Sequence, residues 1–560
     1  MVGVIGATKE VDSYLTEFEG LKTGRLDFER KWQMVSDYIL PRRDFSITKP
    51  PNQLRPHKVT SSVATGANRR MAALMLAYMI GQHPFLMPNV KRGLAAAGRD
   101  VNIDDAGMDY LGQVQWSIFD HLMLPRAQLM LRMSSMLNEF CAFGNGVIWT
   151  GRRRGFGPYF NARPLQACWW SENDEGVIDT LYCRIMLPLH RVFERYPEAR
   201  NVEGWGEDRI KPGHRDEQEL TTILLACRPR QGGIAGAVVE AKPFAYVAIA
   251  EEKKAILERS GYDSFPYGVF RYNPFPGDAY AEGPGCEVLP DVMVLNHMWQ
   301  GIENVASQKG DPPIAVPARM FGKTLDRRPG AVNAYNPAGL GLQRADQAIL
   351  KFDLTGDISE AMAVTGALRD NIELGYFVDW LRLRESGDMT AEEVGERRDM
   401  RLRGMSSIVA NCEQPMTALG DRSLEIMGEE RLLAPAPPSV AGAEVDWEYA
   451  GPLAIAQLRG NVQSTLQIIN TRELVAKQDP AAAEAVDLEE SLRTIAEGLA
   501  VPTRNIKSRQ FVAAKRQKMA EEQQQQADAA KAATAGQALR DGGAGVASLA
   551  DAAQNQQLAA

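Results

Sequence analysis

The sequence predicts an α+β protein, mainly helical, and three observations predict it. Apolar residues recur at three- and four-residue spacings in long stretches towards both ends of the chain. Between about residues 146 and 272 these give way to short β-prone runs punctuated by Gly, Pro, Asn and Asp. From Glu287 onward the apolar positions repeat every 3.5 residues, the period of a helix that packs along a seam. A 560-residue chain that is 45% hydrophobic and 24% charged can bury a sizeable core. At ~150 residues per domain it divides into roughly two to four folding units.

The first predicted helix runs from Phe28 to Pro41, with Phe28, Trp32, Val35 and Ile39 on one face and Arg42-Arg43 at its C-terminal end, where cations suit the dipole. A second, rich in Ala, Met and Leu, spans about Val59 to Ile80 and stops before Gly81 and Pro84. A third covers Asp105 to Leu122 and a fourth Arg126 to Phe143. The turn signal Gly144-Asn145-Gly146 opens the β-rich module, with runs at Gly146–Thr150, Tyr159–Arg163, Val177–Leu187, Glu219–Cys227, Phe244–Ile249 and Tyr267–Tyr272. Their pairing is not readable from the sequence.

The breakers Phe275-Pro276-Gly277 and Gly283-Pro284-Gly285 precede the seam helix, whose apolar positions are Val288, Val292, Leu295, Trp299, Ile302 and Ala306. One seam of about three heptads cannot bury itself and calls for neighbouring helices from the same chain or from other copies. Lys309 to about Leu350 is Pro- and Gly-rich and reads as turns and short strands. A long helix from Asp357 to Arg384 follows, with Ala361, Val364, Leu368, Ile372 and Tyr376 on one side. After the break Glu385-Ser386-Gly387-Asp388, Thr390 and Glu393 form a capping box that opens a helix running past Gly404 towards Met427. Pro435 to Pro438 is a linker, helices resume at Pro452–Ile469 and Asp487–Leu499, and the Ala- and Gln-rich end is too polar to order itself around a core.

The composition also excludes functions. A net charge of −8 rules out a generally basic nucleic-acid-coating protein. It is compatible with a protein that DNA slides past without sticking. None of the six cysteines lies in a CxxC pair, and no signal peptide or stretch of the ~20 apolar residues a bilayer needs is present. Gly322-Lys323-Thr324 resembles the end of a phosphate loop, but position 317, where the loop needs Gly, is Pro. Gly155-Phe156-Gly157 and Gly339-Leu340-Gly341 lack the third Gly of a dinucleotide fingerprint and read as turns. His57, His83, His121, His190, His214 and His297 form no close-spaced metal pair, and no GxSxG elbow occurs. No catalytic residue, metal or cofactor is expected.

Set out in order, these residues resemble the head-to-tail connector (portal) family of short-tailed bacteriophages. The strongest block runs Phe265-Pro266, Arg271-Tyr272, Tyr280, Gly283-Pro284, Leu289-Pro290-Asp291, Leu295-Asn296, Asp311-Pro312-Pro313 and Pro329-Gly330-Ala331-Val332-Asn333. Further blocks are Trp32 with Tyr38-Ile39-Leu40-Pro41-Arg42-Arg43, Met389-Thr390-Ala391-Glu392-Glu393-Val394 with Arg397, and Gly451-Pro452-Leu453-Ala454. The chain departs from the family pattern at Tyr272, where Trp is usual, and at Phe85-Leu86, where Trp-Phe is.

The resemblance implies a portal fold assembled as a ring, usually of about twelve copies, around a DNA channel. It implies a wing at 1–284, a first stem helix at 285–307, a clip at 308–347 and a second stem helix with its continuation at 348–384. A tunnel loop at 385–389, a wing helix and linker at 390–450, crown helices at 451–515 and an Ala- and Gln-rich tail at 516–560, expected to be disordered or marginally helical, complete it. The implied site residues are Val288, Val292, Leu295, Trp299 and Ile302 on the intersubunit stem seam, and Arg384, Glu385, Ser386, Gly387 and Asp388 at the tunnel loop. Lys309, Asp311 and Lys323 lie in the clip that docks motor and adaptor. Arg384, Lys309 and Lys323 are the candidate phosphate contacts.

The implied partners are further copies of the chain, double-stranded DNA passing without specificity, the terminase large subunit, a tail adaptor, and the scaffold and major capsid proteins, with no membrane. The implied place is the capsid vertex at the head–tail junction, after synthesis in the host cytoplasm. The alternatives are another phage structural protein of tail or capsid, or an unrecognised hydrolase on the β-rich module.

Overall fold

The computed structural model describes residues 3–41, 59–81, 84–89, 105–205, 220–230, 242–317, 326, 328–335, 350–351, 358–378, 406–438, 440, 446–449, 462, 464–472, 488–498, 511–512 and 514–527. The chain is α+β and mainly helical, and it divides into two compact units. The larger comprises Met1–Met87, Ser117–Leu433 and Trp447–Gln457; the smaller comprises Pro88–Trp116, Ala434–Asp446 and Leu458–Ala560.

The larger unit opens with α1 (Gly3–Gly24), a helix that the sequence reading passes over. Val11, Tyr14 and Phe18, spaced three and four apart, form its buried stripe. They pack on Trp169, Tyr182, Leu224, Ala226, Val247 and Ile249 of a sheet. Glu17, on the same helix, accepts hydrogen bonds from Arg228 at 2.6 Å and from the Tyr182 hydroxyl at 2.8 Å. α2 (Leu26–Tyr38) buries Trp32 and Val35 as the spacing predicts, and Phe28 packs on Trp32 and Tyr280. α3 (Val63–Met79) turns Ala64, Ala67, Met71, Met75 and Met79 inward. After β1 (Leu86–Asn89) come α4 (Asp105–Met123) and α5 (Leu129–Phe143), the latter starting later than the predicted Arg126.

Gly144 ends α5 in a left-handed conformation, φ +86°. A Cβ there would lie 2.8 Å from the Ala281 carbonyl oxygen, so only Gly lets the two backbones meet. The β-rich module follows with all six expected runs as strands and two more, Cys168–Glu172 and Ala255–Tyr262, that the sequence reading passes over; the structure also supplies the pairing. β2 (Asn145–Arg153) lies between β3 (Gly157–Arg163) and β9 (Tyr267–Arg271) in a three-stranded sheet. β4 (Cys168–Glu172), β5 (Ile178–Pro188), β6 (Leu220–Pro229), β7 (Phe244–Ala250) and β8 (Ala255–Tyr262) form a five-stranded antiparallel meander in chain order. The short helix α6 (Leu189–Arg195) follows β5. Gly155-Phe156-Gly157 is a turn, as read: it closes the β2–β3 hairpin, with positive φ at both glycines.

β10 (Asn273–Pro274) and β11 (Ala281–Glu282) pair just before Gly283-Pro284-Gly285. That breaker backs onto the end of α5: a Cβ on Gly285 would sit 2.8 Å from the Ala142 Cα. Asn145 ties the same place, accepting from the Ala281 N–H at 3.0 Å and donating to the Ala281 carbonyl at 2.6 Å. The chain then enters α7 (Pro284–Glu287) and α8 (Leu289–Gly310), with Pro in the first turn of each. β12 (Ile314–Pro317), β13 (Val332–Tyr335) and β14 (Leu350–Lys351) form a small sheet of order β13-β12-β14. The chain returns through α9 (Ile358–Gly375).

The sequence reads this return helix as continuous to Arg384, but α9 ends at Gly375 and Phe377 takes φ +54°. α10 (Ser406–Glu429) carries Pro415 within it and packs on β9. The capping box at Thr390 and Glu393 lies outside the described residues. In the smaller unit, residues 464–472, α11 (Leu488–Gly498) and residues 514–527 are helical. Glu489 there pairs with Arg493 at 3.0 Å and Arg516 at 3.1 Å.

Candidate functional site

The helices α8 and α9 pack on each other and carry a three-stranded sheet on the chain between them. The root of this hairpin is built into the core. Asn296 is buried in α8, and its Oδ1 accepts hydrogen bonds from the Thr60 N–H at 2.7 Å and the Ser61 N–H at 3.0 Å. Its amide donates to the Val292 carbonyl at 2.8 Å. One side chain thereby holds α8 to the start of α3. On the other strut, buried Glu373 lies 3.3 Å from Arg369 and 3.9 Å from Arg70 of α3. Gly375 passes so close to Val288 that a Cβ would overlap the valine Cγ1.

The seam residues divide along α8. Val288, Val292 and Leu295 are buried within the chain itself, on the body side of the hairpin. Trp299 and Ile302, one and two turns further on, are only half-buried. The 3.5-residue repeat thus begins in the chain's own core and continues beyond it. Between the struts, His297, Met298, Gly301, Ile302 and Val305 of α8 face Ile358 and Ala361 of α9 around a cavity of ≈ 190 Å³. Apolar side chains stand exposed among polar ones on the struts and tip: Val294 is 50% exposed, Leu374 57% and Val332 62%, with Met293, Met362 and Val364 also exposed.

The tip is fixed by short polar ties. The Asp311 N–H caps α8 on the Ser307 carbonyl at 3.0 Å, and its own carbonyl accepts from Gly330 at 2.9 Å. Gly330 has φ +68° and lies against the Asp311 carboxylate, a position that excludes a side chain. β12 runs parallel to β13 and antiparallel to β14. Asn333 accepts from the Asp326 N–H at 2.7 Å and donates to the Asp326 carbonyl at 2.8 Å. The Arg328 guanidinium, donating at 2.6 Å, and the Arg328 N–H hold the Asp326 carboxyl down to about 2.

Of the residues singled out in the sequence, Lys309 lies exposed in the last turn of α8 and Asp311 just beyond it. Lys323, Arg384, Glu385, Ser386, Gly387 and Asp388 lie outside the described residues. The hairpin brings Val288, Val292, Leu295, Trp299, Ile302, Lys309 and Asp311 onto one element. Sequence reasoning missed Asn296, Gly375 and Arg328; a lone Asn at a buried helical position was the one available signal.

Elsewhere, the carboxylates of Asp263, Glu425 and Glu429 gather within 4.8 Å of one another. Lys242 meets Asp263 at 3.0 Å, Arg422 meets Glu425 at 2.5 Å and Arg152 meets Glu429 at 2.5 Å, so the charges are paired off in an ion network. All six cysteines are buried, and burial pushes the thiols of Cys141, Cys227, Cys286 and Cys412 up, away from the reactive thiolate.

Residues 11–506 match the family described as "Bacteriophage head to tail connecting protein". The chain belongs to that family. The connector is 23% identical over 529 residues to the "Probable portal protein" of Bordetella phage BPP-1, covering 91% of each chain. It is 22% identical over 548 residues to the "Portal protein" of Salmonella phage epsilon15, covering 96% of this chain and 95% of the relative. Among solved structures, a chain of the neck of an empty gene transfer agent particle aligns with 11% identity and a TM-score of 0.33, covering 78% of this chain and 90% of that one. Membership makes the connector a structural component of the head–tail connection, and no described helix is long and apolar enough to cross a membrane.

Proposed function

We propose that the connector assembles as a closed ring of about twelve copies at one capsid vertex, with an axial channel through which double-stranded DNA is packaged and later ejected. The observation that carries this reading is the exposed apolar surface of α8–α9. Met293, Val294, Met362, Val364 and Leu374 lie on a two-helix strut whose opposite side is already rooted in the core. Covering these side chains is favourable, and neighbouring copies related by rotation cover them without open-ended growth.

In this reading Trp299 and Ile302 extend the seam to the neighbouring stem, while Val288, Val292 and Leu295 hold the root. The tip, with Lys309, Asp311 and Lys323, is the clip that docks the terminase large subunit and then a tail adaptor. Arg384 and the loop Glu385–Asp388 face the channel, where few and sequence-blind phosphate contacts let DNA pass without being gripped. Scaffold and major capsid proteins surround the wing. The connector does no chemistry of its own, and a separate motor supplies the energy of packaging.

Electron microscopy of the purified protein with native mass on the same sample tests the proposal. A ring with a hole of roughly 20 Å or more, wide enough for a duplex, is the expected result. A chain that stays a monomer across salt and scaffold conditions, or that hydrolyses ATP alone, overturns it.

A further inference from the structure

The β2–β3 hairpin ends in a tip whose charge contrasts with the rest of the chain. The net charge is −8, yet no Asp or Glu occurs from Phe140 to Ser171, a stretch holding Arg152, Arg153, Arg154 and Arg163. Two of these arginines have structural duties. Arg163 is buried over the Trp149 ring at 4.9 Å. Arg152 donates to Glu429 and Glu430, both at 2.5 Å, and Glu430 also accepts from the Gly155 N–H at 2.8 Å. That carboxylate pair pins the hairpin to the end of α10. A Cβ on Gly157 would meet Leu432 Cδ1 at 2.9 Å, so the turn is pressed against the chain beneath it.

Arg153 and Arg154 remain exposed at the tip, beside Arg126 of the α4–α5 loop. Two of the three guanidiniums lie over aromatic rings: Arg153 over Tyr159 at 5.1 Å and Arg126 over Phe156 at 4.8 Å. Phe156 is itself 48% exposed. Stacking on a ring face restrains a guanidinium without neutralising it and leaves its N–H edge free to donate. The Phe160 N–H donates to the Ala127 carbonyl at 2.9 Å, which keeps the Arg126 loop beside the hairpin.

We propose that this tip is a contact site for a phosphodiester backbone, in which Arg126, Arg153 and Arg154 meet phosphates. It lies on a different element from α8–α9 and needs the connector reading only for the source of the DNA. Two ring-restrained forks and a third exposed arginine, Arg154, whose charge also reaches Glu430, gathered on one turn suit a uniform polyanion whose charges recur every few ångström. An acidic protein segment would instead ask for an apolar groove to seat its other side chains.

The test is fluorescence anisotropy of a labelled duplex of about 30 base pairs with the full chain, from about 0.05 to 0.3 M KCl. Wild type is compared with Arg126→Ala, with the double variant Arg153→Ala/Arg154→Ala and with the matching double Lys variant. Each lost phosphate contact lowers the log–log salt slope by about 0.9 on a duplex, so the double Ala variant is expected to flatten it by about 1.8 per engaged protomer. The Lys variant keeps most of the slope, and changing the duplex sequence changes nothing. The proposal is overturned by an unchanged slope in the double Ala variant, or by wild type that does not bind at low salt. Polyglutamate displacing the duplex as well as unlabelled duplex does at equal charge also overturns it, in favour of an acidic protein partner. Native mass on the same samples reports the ring separately: an intact ring with an unchanged slope in the double Ala variant refutes only this site, whereas a flattened slope without a ring supports this site and counts only against the proposed ring assembly.

Discussion

Replacing Asn296 by Ala should loosen the root of the stem by a calculable amount. The Ser61 N–H, buried, would lose its acceptor at 3.0 Å, and the half-open Thr60 N–H would lose its acceptor at 2.7 Å. An orphaned buried donor costs about 1–3 kcal/mol, and a lost bond that water can replace costs about 0.5–1.5 kcal/mol. The sum is about 1.5–4.5 kcal/mol, and the small cavity left by the side chain adds to it. Two assays read the loss. Urea unfolding of the unassembled chain should show the midpoint falling with an unchanged slope. Hydrogen exchange at the Ser61 amide should quicken by roughly 10-fold or more, since 1.4 kcal/mol is a factor of ten. A variant within about 0.5 kcal/mol of wild type and with unaltered Ser61 exchange would refute the claim that this one amide ties α8 to α3.

Other consequences follow from the same geometry. Leu374→Glu and Val364→Glu should leave the unfolding midpoint within about 0.5 kcal/mol of wild type, because both side chains are exposed, yet abolish the ring in native mass. Gly375→Ala should destabilise the chain by about 1–3 kcal/mol through overlap with Val288, and Val288→Ala in the same chain should recover part of the loss, as a double-mutant cycle would show. Arg25→Met should cost roughly 3 kcal/mol in urea, since it strips the donor from the carbonyls of Leu165, Gln166 and Cys168. Asp326 titrates from an ordinary 3.8 down to about 2, so its hold on Arg328 is complete above pH 4 and lost as pH falls through 2. The rate of pepsin cleavage near the hairpin tip in wild type, divided by that in Asp326→Asn to remove pepsin's own pH dependence, should rise as pH falls across that window.

Much of the architecture was legible because it follows from local patterning. The stripe Phe28, Trp32, Val35, Ile39 and the repeat from Val288 to Ile302 each announce a helix, and α2 and α8 are there. The alternation of β-prone runs with Gly and Pro announced the β-rich module. What failed was anything decided by partners distant in sequence. Residues 3–24 were passed over, although Val11, Tyr14 and Phe18 carry the right spacing, because the surrounding polar residues dilute it. Arg25, which nothing in the sequence singles out, is 1% exposed and stacks on Trp169 at 4.0 Å, held by backbone carbonyls 140 to 143 positions away. The seam predicted a partner but not which one: only the fold divides it, with Leu295 in the chain's own core and Trp299 leaving it.

The sequence by itself determined that most of the helices and a β-rich module form and in what order, that it holds no phosphate loop or metal-ligand spacing, and to which family the ordered blocks belong. These follow from side-chain period, turn chemistry and residue identity, which are local properties. The tertiary structure alone decided the five-stranded meander order and the seat of Arg25. It also decided the tie from Asn296 to Ser61 and the division of the arginines at the β2–β3 tip into one that anchors and two that face solvent. Those depend on which distant backbone groups and carboxylates arrive beside a side chain, and burial turns that arrival into free energy.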